Sequence, residues 1–311
     1  MVGVSGDGLD AARPAVTEGR VGGVILMTWP DSSDPAVLLD LRSSGPLPLL
    51  VAVDEEGGEV QRLRSLGVLP SARAQADTMS VAEVEALIAE HARSVAALGI
   101  DVVFAPVADV APLDGPGPIG DRTFSDDPAI VTAFAAATAR GWMSAGILPV
   151  LKHFPGHGSA SGDTHDAPAQ TPSLDILRAR DLVPYQQLAG SGVGVMVGHL
   201  DVPGLTDGAP ASVSPAAISG LLRSELGYGD ALVFSDALGM EAIVSRYGLG
   251  DAAARSIAAG ADVALFVSPQ DIDEVARAIE TAVAEGRLPL ARLDQAVDHI
   301  LRAKGIDPCR V

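Results

Sequence analysis

The feature that most constrains this chain is an alternation running along its whole length. Short runs rich in Val, Ile and Leu recur, and each is followed by a segment of helical periodicity. The runs are VGVS (2–5), VGGVILM (21–27), LPLLVAV (47–53), IDVVFAPV (100–107), GILPVL (146–151), VGVMVG (193–198), ALVFS (231–235) and DVALFV (262–267). Continuous apolar runs of this length fit parallel strands buried on both faces, since a half-exposed strand would alternate apolar with polar. The intervening segments carry start and stop signals. SVAEVEALIAEHARSVAALG opens with Ser80 and Glu83 at capping-box spacing and closes at Gly99. DPAIVTAFAAATARGWMSAG has Asp127 as an N-cap, Pro128 in the first turn and Gly146 beyond the end. SPAAISGLLRSELG repeats the logic with Ser214, Pro215 and Gly227. About eight strands alternating with helices is the count of an α/β chain folded as a (β/α)8 TIM-type barrel. An open doubly wound sheet is the alternative, but its glycine-rich dinucleotide fingerprint is missing after the early strands. No linker or low-complexity tract divides residues 1–311, so the expectation is a single catalytic barrel domain.

Composition narrows the partners. The formal net charge of −19 over 311 residues repels nucleic acid and anionic membrane, so neither is an expected partner. One cysteine, Cys309, allows neither an intramolecular disulfide nor a cysteine-based zinc site, which suits a cytoplasmic protein. The start, MVGVSGDGLD, lacks the basic n-region of a signal peptide. The most apolar long segment, 129–151, is interrupted by Arg140, Gly141, Gly146 and Pro149, and reads as a helix followed by a strand.

At the C-terminal ends of the apolar runs stand Asp54, Asp109, Lys152 with His153, His199 and Asp236. In a barrel those ends converge on one face, where chemistry is built. Asp236, in VFSDALGMEA, reads in isolation as a helix N-cap; among cations at neighbouring strand ends it becomes a candidate ionised nucleophile. The stretch KHFPGHGSASGDTH (152–165) holds three histidines among glycine, serine and proline. Asp163 and His165, two apart in an extended loop, can face the same way, and a carboxylate raises an imidazole pKa toward that of a proton donor near neutrality. The rival is a metal site. His153 and His157 have the i, i+4 spacing of a helical zinc pair with His165 as a third ligand, but Pro155, Gly156 and Gly158 argue against that helix. The glycines lack phosphate-loop spacing. In VDEEGGEVQRLR (53–64), Glu59 reads as solvated, while Asp54 and Arg62 together could hydrogen-bond sugar hydroxyls. Arg122, in GPIGDRTFSDDP, either joins that set or pairs with Asp121 or Asp126.

Taken in order, VDEEGGEVQR, FAPVADV, PIGDRTFSDDP, KHFPGHGSASGDTHDAP, VGVMVGHLDVPGLT and LVFSDALGMEAI resemble glycoside hydrolase family 3, in particular its single-domain β-N-acetylhexosaminidases of the NagZ type. The resemblance spans nearly the whole chain and implies a barrel whose reaction retains anomeric configuration. It implies that Asp236 is the nucleophile, His165 the acid/base and Asp163 its tuning partner. Asp54, Arg62, Arg122, Lys152 and His153 fall on the sugar-binding set, and His199, grouped with them, matches a strand-end histidine with a role near the nucleophile. Most retaining glycosidases pair two carboxylates roughly 5–5.5 Å apart; here a histidine replaces one of them. The implied activity is removal of terminal β-linked N-acetylglucosamine, in peptidoglycan recycling, by a cytoplasmic monomer with no metal and no cofactor. Phosphorolysis, a β-glucosidase, a natural-product glycosidase and a metal-dependent barrel hydrolase are the alternatives. Two departures from the family pattern, Glu59 and LMTWPD (26–31), lie near the sugar-facing rim and bear on the leaving group.

Overall fold

A computed structural model of the chain describes residues 1–112, 117–164 and 167–310. Eight parallel strands pair in sequence order: β1 Val2–Ser5, β2 Gly23–Thr28, β3 Leu50–Val53, β4 Val102–Val103, β5 Leu148–Phe154, β6 Gly194–Val197, β7 Val233–Ala237 and β8 Val263–Leu265. The ring closes through a Val2–Phe266 bridge, in which the Gly3 amide donates to the Phe266 carbonyl at 2.8 Å. Helices surround the sheet, and the expected (β/α)8 barrel is the observed fold.

The apolar runs form strands because both of their faces are buried, and the core divides accordingly. Ile25, Ala52, Phe104, Val150, Met196 and Phe234 fill the barrel interior. A larger cluster, including Val24, Val51, Leu151 and Trp142, lies between sheet and helices. Inside, Phe104 and Phe234 meet edge to face with ring centroids 5.1 Å apart, so the barrel is a packed core and not a pore. The capping signals hold. Ser80 and Glu83 form the capping box of helix Val81–Ala97, and Asp127 accepts from the Ala129 amide at the start of Pro128–Met143.

Three local readings differ from expectation. The run 100–107 keeps only the two strand residues of β4, because Pro106 offers no amide to a ladder; a Val107–Lys152 bridge continues the alignment. The segment Ala216–Glu225 is helical but wound with i→i+5 bonds, such as Gly220 to Pro215 and Leu226 to Leu221, both 2.9 Å. Its widened last turn carries buried Arg223 to the carbonyl of Gly260 and the carboxylate of Asp262. Finally, β3 runs straight into a small antiparallel hairpin, Glu55–Gly57 with Val60–Gln61, which the pattern of apolar runs did not mark. Among the described residues, no helix is long and apolar enough to cross a membrane.

Candidate active site

The C-terminal strand ends open into a cavity of about 540 Å³. Asp54, Arg62, Arg122, Lys152, His153 and Asp236 all line it. Six of the nine site residues read from the sequence therefore meet in one place, brought there by β3, β5, β7 and the loops beyond β3 and β4.

The charged wall is built around a residue the sequence reading passed over. Strand alternation carries one step past β3, so Asp54 and Glu56 face the same way and Glu55 the opposite way. Lys152 Nζ donates to Asp54 Oδ1 at 2.7 Å and also pairs with Glu56. Arg122 grips Glu56 with two bonds of 2.9 Å, Nε to Oε2 and Nη2 to Oε1. This settles the partner of Arg122: neither Asp121 nor Asp126, but Glu56. Burial works against the Glu56 carboxylate, yet Lys152 and Arg122 outweigh it and hold its pKa down at about 2. Burial likewise opposes charge on Lys152, and Asp54 with Glu56 more than restores it, raising its pKa above the ordinary value. Arg62 Nη2 lies 3.9 Å from Asp54 Oδ2.

Glu55 holds the turn that delivers Arg62. Its buried carboxylate accepts from the amides of Arg62 (3.0 Å) and Leu63 (2.9 Å), and from Gln61 Nε2 (2.8 Å). His91 Nε2, from the helix Val81–Ala97, closes the set at 2.8 Å. Glu59, in contrast, is exposed, as expected.

His153 is fixed from both sides. Its Nδ1 meets Asp109 Oδ2 at 2.7 Å, and its Nε2 faces Arg122 Nη2 at 3.3 Å. A guanidinium only donates, so Nε2 accepts and Nδ1 carries the hydrogen given to Asp109. Fully buried Asp109 also accepts from the amide of His157 at 2.7 Å. Burial opposes its ionisation, and His153 with the His157 amide overcomes that and lowers its pKa. The zinc-pair geometry is not realised: His153 ends a strand, and His157 lies beyond a turn with its ring at 86° to that of His153.

Asp236 sits near the end of β7, with Oδ1 accepting from the Ala237 amide at 2.7 Å. Burial pushes its pKa up, but His153, His199, the Ala237 amide and Lys152 together bring it to about 2. The carboxylate is therefore ionised across the neutral range, as a nucleophile requires. His199 stands near Asp236, on the strand-end position the resemblance gives it. It is buried behind Asp236, with Nδ1 at 2.7 Å from Ser212 Oγ and Nε2 donating to the Ala237 carbonyl at 2.9 Å. Both ring nitrogens are engaged within the protein, and the ring supports the peptide beside Asp236.

The loop after β5 crosses the site. The His157 ring is 3.1 Å from the Gly162 carbonyl, and the Thr164 carbonyl accepts from the Ala242 amide at 3.4 Å. Residue 164 thus already lies beside the segment that follows β7, in the neighbourhood of Asp236. Asp163 is half-buried one residue earlier. His165 lies outside the described residues. From the rim segment 26–31, Met27 faces the cavity, while Trp29 packs over Gly6. A second cavity, about 220 Å³, opens at the other end of the barrel. It is lined mainly by apolar side chains such as Val275 and Ile279, and its carboxylate, Asp262, is bound to Arg223 and Arg292.

The profile described as "Glycosyl hydrolase family 3 N terminal domain" matches residues 2–303. "Beta-hexosaminidase LpqI" of Mycobacterium tuberculosis (strain ATCC 25618 / H37Rv) is 48% identical over 318 residues, covering 99% of this chain and 81% of that protein. A crystal structure of a glycosyl hydrolase, a GH3 family member from Mycobacterium smegmatis str. MC2 155, superimposes with a TM-score of 0.90 at 46% identity, covering 98% of this chain and 94% of that one. The β-N-acetylhexosaminidase from Beutenbergia cavernae DSM 12333 also reaches a TM-score of 0.90, at 29% identity, covering 98% of this chain and 96% of that one. A profile match over nearly the whole chain, and a relative of this identity, lead to one conclusion: the chain belongs to glycosyl hydrolase family 3.

Proposed function

We propose that this protein is a retaining exo-β-N-acetylglucosaminidase that removes terminal β-linked N-acetylglucosamine through a covalent glycosyl-aspartate. The observation that carries the proposal is Asp236: a half-buried carboxylate, held ionised, facing a cavity whose wall presents Asp54, Arg62, Arg122, Lys152 and His153. That wall offers charged donors and acceptors of the kind that grip sugar hydroxyls bidentately. The names of the M. tuberculosis and B. cavernae relatives support the same sugar class.

In the proposed reaction the ionised Asp236 attacks the anomeric carbon as the bond to the leaving oxygen breaks. His165, tuned by Asp163, gives that oxygen its proton. The imidazole then takes a proton from water, the water oxygen attacks the same carbon, and the aspartyl ester breaks to free Asp236. Placement of residue 164 beside Ala242 supports delivery of His165 by this loop. Asp236→Ala should lose activity on aryl β-N-acetylglucosaminides by roughly 10⁴-fold or more. His165→Ala should lose roughly 10²–10⁴-fold on poor leaving groups and far less on activated ones. Mass spectrometry of a slow substrate trapped on the enzyme should find the sugar on the peptide carrying Asp236. Full activity in Asp236→Ala would end the assignment.

A further inference from the structure

The cavity is two-sided, and only one side is explained by a sugar. Asp54, Arg122, Lys152 and His153 stand on the side of β3 and β5. Round the rest of the ring, from β8 through β1 to β2, strand ends bring Val267 and Met27 into the same cavity, joined by Met240 from the segment after β7. Gly3, on β1 between the other two strands, makes these side chains contiguous. A Cβ placed there would stand 2.9 Å from the Val267 Cα and 3.1 Å from the Met27 Cγ. With no side chain at Gly3, Met27 comes in beside the Val267 backbone, and both residues line the cavity as one apolar shelf. Val267 is 45% exposed, an apolar side chain turned to solvent beside a charged pocket. The loop after β5 reaches the Ala242 amide, two residues past Met240, so residue 164 lies at the Met240 edge of this apolar face. Asp236 comes from β7, next to β8. A sugar held by its hydroxyls on the charged wall, with its anomeric carbon at Asp236, directs its leaving group away from that wall and onto the shelf.

We propose that Met27, Val267 and Met240 form the leaving-group subsite, and that the preferred substrates are β-N-acetylglucosaminides whose aglycone presents an apolar alkyl or aryl face next to the glycosidic oxygen. The proposal rests on the activity proposed above and specifies its substrate class. Methyl, butyl and octyl β-N-acetylglucosaminides test it, because their leaving alcohols differ little in acidity and their KM values report binding. A fully buried methylene is worth about fourfold in affinity, so on a half-open shelf KM should fall by roughly tenfold from methyl to butyl. In Val267→Ser and in Met27→Gln the same step should shrink to about threefold or less. A flat series in the wild type, or an undiminished step in both variants, overturns the inference while leaving the glycosidase reading standing. So does a result in which the variants change the response to N-acyl chain length and not to aglycone length, since the shelf would then face the sugar 2-position. If the folded wild type hydrolyses no member of the series, the glycosidase reading and this inference fall together.

Discussion

Glu56 shows what a single residue can hide. In VDEEGGEVQR the eye goes to the strand-end aspartate, and the carboxylates beyond it pass as solvated. Period-two alternation was the available signal: it puts Asp54 and Glu56 on one face, and Glu56 becomes the shared acceptor of Lys152 and Arg122. Asp181 is the opposite case, a buried acid whose carboxylate no side chain among the described residues grips. It is 0% exposed, and neither carboxylate oxygen has a hydrogen-bond partner among the described residues. Its Cβ lies 2.6 Å from where a Cβ on Gly156 would be, at the root of the loop after β5. Burial raises its pKa to about 7, with Asp109 adding to the rise and Arg180 opposing it. The folded state thus keeps this proton longer than the unfolded chain does. Stability is unaffected by the group below its ordinary pKa of 3.8, falls as pH rises toward about 7, and levels off above that. At about 1.4 kcal/mol per pH unit, the loss is on the order of a few kcal/mol. Asp181→Asn should therefore be more stable than the wild type at pH 8, with most of the gain gone at pH 5. Denaturant midpoints at both values check this, and a pH-independent difference would refute it.

At the scale of elements, the strands and caps were legible because each has a local cause: a run of apolar residues, or a Ser, Asp or Gly at a helix end. The turn after β3 was not, because its cause is distant. Glu55 holds residues 61–63 only with the help of His91, which comes from another helix. Removing that carboxylate strands buried donors, at roughly 1–3 kcal/mol for each left unpaired. Glu55→Ala should cost roughly 3 kcal/mol or more in denaturant unfolding. It should also raise KM by about tenfold with a smaller change in kcat, because Arg62 loses its support while Asp236 does not. A kcat loss larger than the KM change would contradict this division. The described part of the loop after β5 is non-helical, as its glycines and proline led one to expect, and its Asp163 and His165 are the proton-transfer pair proposed above. Its resting place beside Ala242 could not be read, since it depends on a backbone contact between segments nearly eighty residues apart.

Over the whole molecule, chemistry and stability sit at opposite ends of the barrel. Six charged or imidazole groups converge where the strands finish. Where they begin, Asp262 gathers Arg223 at 2.7 Å, Arg292 at 2.6 Å and His299 at 3.0 Å, tying two helical segments to β8. The sequence reading looked at C-terminal strand ends, where barrel chemistry lies, and so did not find this cluster. Breaking a buried ion pair by removing one partner leaves uncompensated charge and costs about 3–5 kcal/mol. Asp262→Ala should lose stability of that order while its kcat, measured at a temperature where it stays folded, remains near the wild-type value. A parallel collapse of kcat in the folded variant would show that the two ends are coupled.

The edge-to-face packing of Phe104 on Phe234 has a consequence for traffic. With the interior plugged, whatever enters above Asp236 must leave by the mouth it came in through. In the proposed reaction the aglycone and the attacking water then share one doorway, and the first must vacate it before the second can arrive. An alcohol waiting at that doorway would intercept the ester in place of water and leave as a new glycoside.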